Sequence, residues 1–211
     1  MSEAEDLKYV GTRPIRPDGV EKVTGRANFG ADETMPGMVY GQVVRSPYAH
    51  AKIRSIDTSK AEAIPGVVAV ITAQDFPDRS EFSLRRKMFN DNIIASDKVV
   101  YHGHAVAAVA ATSTSIARLA GDAIEVDYDV LEPVVDVLKA MDENAPLLHE
   151  GLYTEGLPEK PLNPSNISNT MTISRGDAEK AFADADEVVE RTFVTPMVHQ
   201  GYIEPHACVA S

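Results

Sequence analysis

The strongest constraint on the fold is a run of seven consecutive apolar residues, Ala105–Ala111. The run falls well short of the roughly 18 apolar residues that a membrane helix needs, and a turn signal at His102-Gly103 precedes it. A short apolar run of this kind predicts a strand that is buried on both faces. The rest of the chain must therefore supply the layers that cover this strand.

A helix and a second strand are predicted directly after this run. Ser113 or Thr114 can cap the helix, whose apolar residues recur at the i, i+3, i+4 spacing of one helical face. Residues 124–130 then alternate between apolar and charged side chains, as a half-exposed strand does. A similar pattern runs upstream, with strands at 38–45, 52–57, 67–71 and 99–101 and a short helix at 60–64. The first two of these strands are expected to form a hairpin or meander.

Two strand–helix–strand units predict a domain of the α/β or α+β class, with right-handed crossovers wherever its strands are parallel. Residues 75–97 have mixed polarity and weak periodicity, which predicts a loop or excursion. The stretch Gly11–Gly37 is dense in glycine and proline and predicts an irregular arm. Prolines interrupt residues 142–170 in the same way, which predicts a linker or surface loop.

The last part of the chain returns to regular patterns. Asp177 can cap a helix that runs to Ala183, and residues 187–194 predict a strand. The β-like end at 207–211 carries no stop signal. It therefore indicates either a cut chain or a strand that needs a partner to complete its sheet.

Composition excludes several classes of function. The formal net charge of −12 opposes binding to nucleic acid or to an anionic membrane, and the short basic cluster Arg85–Lys87 is better interpreted as a solvated loop. The single cysteine, Cys208, cannot form an internal disulfide, which favours a reducing, cytoplasmic setting. The acidic N-terminus has no apolar run and is unlike a secretory signal.

Histidines are the first candidates for a metal site. His102 and His104 lie two residues apart, and His199, His206 and Cys208 lie close in sequence. His206 and Cys208 would share one face of a strand, so they could chelate a metal together. No second pair of ligands at a chelating spacing accompanies them. Packing in a sheet is therefore the favoured interpretation of His206 and Cys208.

The remaining sequence motifs and charged residues indicate structural roles rather than catalysis. The sequence has no glycine-rich phosphate loop and no Gly-x-Ser-x-Gly elbow. Arg45 and Arg54 could hold an anionic cofactor, but ion pairs at the rim of the sheet are favoured. The alternating carboxylates Glu125, Asp127 and Asp129 predict the wet face of a strand. No residue is assigned a catalytic, cofactor-binding or metal-binding role.

A family resemblance rests on eight segments. They are Asp18–Ala27, Met35–Gly41, Arg45–Ile53, Ile64–Val70, Val100–Val109, Ile124–Pro133, Gly176–Phe182 and His199–His206. In this order they resemble the molybdopterin-binding subunit of the xanthine dehydrogenase and aldehyde oxidase family, and they cover nearly the whole chain from about Gly11. One departure falls after Gly103, where the family commonly has Glu or Gln and then Pro, and this chain has His104 and Ala105.

The resemblance implies an α+β fold built on an α/β hammerhead domain with a mixed sheet. It implies an N-terminal arm at 1–20, the hammerhead at 21–140, a linker or loop at 141–175 and the first strands of a molybdopterin-binding domain at 176–211. In this family the glycine-rich segment beside the pterin, the glutamine near the metal and the glutamate that acts as general base all lie further along. None has a counterpart in this sequence.

The resemblance implies the N-terminal portion, or a split subunit, of a molybdopterin-dependent hydroxylase or dehydrogenase. The segment would be a catalytically silent scaffold that binds no cofactor alone. Its partners would be the remaining molybdopterin-binding domains, an iron-sulfur subunit and, as is often the case in the family, an FAD subunit, with no role for nucleic acid or membrane. Xanthine, aldehydes, aromatic heterocycles, thioesters and carbon monoxide all stay open as substrates. The alternatives are a stand-alone interaction module and an unrelated small enzyme.

Overall fold

A computed structural model describes residues 8–76, 83–203 and 206–210. The strands are β1 (Tyr40–Arg45), β2 (Ala51–Asp57), β3 (Val67–Thr72), β4 (Lys98–Val99), β5 (Ala105–Ala111) and β6 (Glu125–Val130). The helices are α1 (Gly19–Val23), α2 (Ser59–Glu62), α3 (Leu84–Ile93), α4 (Thr114–Ala123), α5 (Val137–Ala140) and α6 (Ala178–Ala183). This composition confirms the α+β class.

The chain divides into two compact units. One comprises Met38–Glu190 and contains strands β1 to β6 together with α2 to α6. The other comprises Met1–Gly37 with Arg191–Ser211, and its described residues contain α1 and a short 3-10 turn at Gly30–Asp32. Gly11, Gly25 and Gly37 have positive φ values of 84°, 71° and 76°. These turns agree with the irregular arm predicted for Gly11–Gly37, whereas the short helix α1 within it was not predicted.

The first sheet places β5 between β1 and β3, with both pairings antiparallel. Val44 pairs with Ala107 and Arg45 with Ala105, so Val106 is the extra residue of a β-bulge. The bulge interrupts the alternation of buried and half-buried residues along β5. Val106, Ala107, Val109 and Ala111 are fully buried, whereas Ala105, Ala108 and Ala110 are only half-buried. The predicted burial on both faces is therefore wrong for one face.

The second sheet has the order β4-β2-β6 and is also antiparallel throughout. Two predictions fail here. β1 and β2 do not form a hairpin, because each pairs in a different sheet. The predicted mixed sheet is also wrong, because all strand pairings are antiparallel. In each strand–helix–strand unit the two strands belong to different sheets, so no parallel crossover forms. Outside the named strands, a parallel bridge joins Glu155 to Asn169.

The core consists of two neighbouring apolar clusters. In the first, Ala107 and Val109 of β5 pack with Ala61 of α2 and Ala120 of α4. The second is formed by Ala51, Ala95, Val99 and Val106. Three half-buried residues contact both clusters, namely Val44, Ile56 and Val126. Because these three come from three strands, the two sheets and the helices share one continuous apolar interior.

A helix replaces part of the predicted 75–97 loop. The Ser83 hydroxyl accepts a hydrogen bond from the backbone N–H of Arg86 at 3.4 Å and so caps α3. The segment consists largely of good helix formers but has almost no apolar face, which is why periodicity did not reveal it. The basic cluster Arg85–Lys87 thus lies on a helix and not in a loop.

The later predictions have mixed outcomes. Helix α6 begins as expected, with the Asp177 carboxylate accepting the Lys180 N–H at 2.9 Å. Residues 187–194 and 206–210 are exposed and form no strand. These segments have strand-like composition, but a strand also needs a partner for its backbone groups, and the described residues provide none for them.

Candidate functional site

The turn between β4 and β5 contains a fully buried polar side chain. His104 is fully buried, and its ring stacks on Tyr101 with the ring centroids 4.3 Å apart. The imidazole Nδ1 accepts the Val100 N–H at 3.3 Å, so Nε2 carries the proton and donates to the Asp91 carbonyl at 2.5 Å. His104 thereby connects α3 to the turn.

The environment of His104 favours the neutral imidazole. Burial lowers the pKa of His104 below its ordinary value of 6.5, while the Asp91 carbonyl and the Asp91 charge oppose this shift. Both ring nitrogens are occupied by backbone groups. His104 therefore has no lone pair for a metal, and the exposed His102 does not form a chelating pair with it.

A second group of polar side chains lies where residues 149–150 meet the sheet. His50 is buried, and its Nδ1 is 2.7 Å from the Glu132 carbonyl, whereas its Nε2 has no hydrogen-bond partner. Lys98 forms an ion pair with Glu150 at 2.9 Å, and its side chain is only 14% exposed. Burial, then the charge of Lys98, lowers the pKa of His149. This group could not be predicted from spacing in the sequence, because its residues lie in separate segments of the chain.

The histidines near the end of the chain form an aromatic cluster. Tyr202 lies between His199 and His206, with centroid distances of 4.6 and 4.5 Å, and its hydroxyl is 3.2 Å from His206 Nδ1. Cys208 is an exposed free thiol. Within residues 8–76, 83–203 and 206–210, no three His, Cys, Asp or Glu side chains are grouped to hold a metal. The sheet packing predicted for His206 and Cys208 is wrong, because no strand forms there.

The charged side chains of the sheets behave mostly as predicted. Arg54, on the central strand β2, pairs with Asp129 of β6 at 3.3 Å, and both side chains are exposed to solvent, as in the predicted ion pair. Arg45 instead donates to the Gly103 carbonyl at 2.9 Å and supports the β4–β5 turn. Glu125 is exposed and pairs with Lys60, which confirms a wet face for β6.

Sequence reasoning missed a polar cavity of about 370 Å³ beside a register shift in β2. Its lining includes the charged side chains Arg54, Glu62, Asp75 and Asp97. Glu62 accepts the Thr58 hydroxyl at 2.6 Å, and Asp75 accepts the Thr72 N–H at 2.7 Å, so both carboxylates already have local donors. The lining comes from four separate segments, and no local motif could have indicated it.

These two sheets and their helices coincide with a known domain. The sequence model described as "Aldehyde oxidase and xanthine dehydrogenase, a/b hammerhead domain" matches residues 24–132. The chain belongs to the aldehyde oxidase and xanthine dehydrogenase family. A second model, described as "Molybdopterin cofactor-binding domain", matches residues 160–211.

Curated members of the family and a solved structure agree with this assignment. The nicotinate dehydrogenase large molybdopterin subunit of Eubacterium barkeri is 34% identical over 98% of this chain and 45% of its own length. The carbon monoxide dehydrogenase large chain of Afipia carboxidovorans is 35% identical over 99% of this chain and 26% of its own length. The crystal structure of a Cu,Mo-CO dehydrogenase superposes with a TM-score of 0.63 at 34% identity, over 87% of this chain and 23% of that one. The chain thus spans less than half the length of these relatives.

Helix α6 lies within the residues that match the cofactor-binding model. A concavity of about 290 Å³ lies beside this helix, and its lining is apolar apart from Glu187. Molybdopterin is an anion and requires hydrogen-bond donors or positive charge, whereas Phe182, Val188 and Val189 offer neither. This lining does not fit the group, and no step of chemistry is assigned to it. No helix among the described residues is long and apolar enough to cross a membrane.

Proposed function

We propose that this chain supplies the hammerhead part of the large subunit of a molybdopterin-dependent oxidoreductase. In such an enzyme, water-derived oxygen is transferred to a carbon centre, or a small substrate is dehydrogenated, at a pterin-bound molybdenum. The chain would act as a scaffold for catalytic domains that lie outside it. The match of the hammerhead model to residues 24–132 carries this proposal, because the folded core falls within that range.

The architecture supports a scaffold role. The side chains of buried His104 and half-buried Asn166 bind backbone groups of their own unit, as structural residues do. The nicotinate and carbon monoxide dehydrogenases among the relatives support the class of reaction. The proposed partners are the remaining molybdopterin-binding domains, an iron-sulfur subunit and an FAD subunit. The proposed location is the cytoplasm.

The test is purification of the chain from its native host, with mass spectrometry of the co-purifying chains and measurement of molybdenum and iron in the same fractions. We expect a chain or domain that carries the family's downstream segments, together with both metals. A matched preparation should carry Val109→Asp, which places a charge in the first core cluster. That variant should lose both metals from the fractions that contain the chain. Elution of the native chain alone and free of metal would contradict the proposal.

A further inference from the structure

The segment that follows β6 exposes an apolar ridge, which consists of Val135, Val137, Leu138 and Met141. These side chains are 83%, 76%, 73% and 55% exposed. Val137, Leu138 and Met141 are spaced i, i+1, i+4 around the short helix α5, so they project from one side of it. Four large apolar side chains within seven residues are thus exposed, and exposed apolar patches mark interaction surfaces.

The apolar ridge is held in a fixed conformation. The Asn166 side chain donates from Nδ2 to the carbonyls of Ala140 and Pro146, at 3.1 and 3.0 Å. Its Oδ1 accepts the Leu148 N–H at 3.0 Å. At the other end of the ridge, the Asp136 carboxylate caps α5 through the N–H groups of Leu138 and Lys139. A preorganised surface loses little conformational entropy when a partner binds.

An acidic groove of about 650 Å³ lies beside the apolar ridge. Four exposed carboxylates line it, those of Glu132, Asp136, Asp142 and Glu143, and Lys139 is the one basic side chain in this lining. The groove therefore presents an excess of negative charge next to the apolar patch. A lysine or arginine from another surface could enter it and be neutralised.

We propose that the apolar ridge and the acidic groove together bind a separate protein chain, whose docking surface has an apolar pocket bordered by lysine or arginine. Charge complementarity selects this occupant. A second copy would bring the same four carboxylates and a net charge of −12, and nucleic acid and anionic membranes are also negative. The inference does not depend on the proposed enzymatic function, because it rests only on this surface.

The test uses the full chain as purified with its bound proteins from the native host. A carbodiimide joins a carboxylate directly to an amine without a spacer, so it reports only ion pairs in contact. We expect mass spectrometry to find amide links from Asp142 or Glu143 to lysines of a different protein. Treatment at high salt before the reagent is added should reduce these links, because salt screens exposed ion pairs.

Two variants separate the apolar ridge from the rest of the surface. Leu138→Asp changes an exposed side chain in the ridge, and Val68→Asp changes a valine that is 60% exposed on β3. Both should melt at the temperature of the unmodified chain, because neither side chain is buried. We expect Leu138→Asp to lower recovery of the cross-linked partner at least about tenfold, which corresponds to about 1.4 kcal/mol. Val68→Asp should leave that recovery unchanged.

Three outcomes would overturn the inference. The first is that the groove carboxylates link only to lysines of the same chain or of a second, isotope-labelled copy. The second is that none of the four forms a link to another protein. The third is that Leu138→Asp recovers as much cross-linked partner as Val68→Asp. Presence or absence of molybdenum in the preparation has no bearing on any of the three, so the inference and the proposed function can fail separately.

Discussion

Gly66 lies between α2 and β3 at a backbone position that only glycine fits. Its φ is 95°, and an added Cβ would lie 2.8 Å from both Ile116 Cδ1 and Thr112 Oγ1. The Gly66 carbonyl also accepts the Thr112 N–H at 2.9 Å. We expect Gly66→Ala to lower the free energy of unfolding by about 1–3 kcal/mol, because strain and steric overlap act together. Urea denaturation followed by circular dichroism measures this change.

The matched control is Gly41→Ala in β1, where an added Cβ would meet no atom within 4 Å and where φ is not positive. This substitution should leave stability unchanged or raise it slightly, because alanine loses less backbone entropy than glycine on folding. Equal losses in the two variants would contradict the role assigned to Gly66.

His104 makes stability depend on pH. Because its pKa is lowered below 6.5 in the folded protein, the unfolded chain binds more protons once the pH falls below that value. Stability from neutral His104 is therefore fully present above about pH 6.5 and decreases as the pH falls toward the folded pKa. We expect the urea midpoint to fall between pH 7.5 and pH 5.5, and to fall less in His104→Gln.

The His104→Gln variant should keep part of the pH dependence. The pKa of His149 is also lowered by burial, so protonation of His149 also lowers stability as the pH falls. His102→Gln serves as the control, since His102 is exposed one residue before the turn glycine. It should reproduce the unmodified pH response. A His104→Gln variant with the same response would show that His104 is not the source.

At the scale of elements, a prediction succeeded where the residues that form the element are close together in the sequence. Strand β5 and helix α4 were both predicted, since apolar runs, periodicity and the Ser113 cap are local signals. Helix α3 was missed because it has a capping residue but no apolar face that periodicity could reveal. The predicted β1–β2 hairpin was wrong because β1 pairs instead with β5, whose residues lie about 60 to 70 positions away, and nothing local encodes this pairing.

The connector 142–170 lacks helices and strands, apart from one bridge, but side chains hold it in place. Asn166 makes three hydrogen bonds to backbone groups, one at Ala140, the last residue of α5, and two at Pro146 and Leu148 after it. We expect Asn166→Ala to lower the free energy of unfolding by about 2 kcal/mol, since half-buried groups lose partners. It should also speed hydrogen exchange at the Leu148 amide.

Asn166→Asp refines this prediction, because it keeps the acceptor for Leu148 but loses both donors. The Leu148 amide should stay protected while stability still falls. Asn163→Ala is the control, since Asn163 is exposed. If Asn163→Ala lowered stability as much as Asn166→Ala, the loss could be caused by any substitution in this loop, and the specific role assigned to Asn166 would be contradicted.

At the scale of the whole molecule, all strands and both apolar clusters belong to Met38–Glu190. We therefore expect a fragment with these bounds to fold cooperatively and to keep the melting temperature of the full chain within a few degrees. Differential scanning calorimetry of the two proteins measures this. A fragment that shows no cooperative transition would mean that the remaining residues stabilise the core.

The sequence by itself determined the α+β class, the strands and helices with strong local signals, the wet face of β6 and the family. These features depend on periodicity, capping and charge within a few neighbouring residues. Only the tertiary structure decided which strands pair, where the β5 bulge turns Val106 inward, and how His104 and Asn166 link distant segments. The physical reason is that these features arise from contacts between residues far apart in the chain, and burial selects among many pairings that local patterns allow equally.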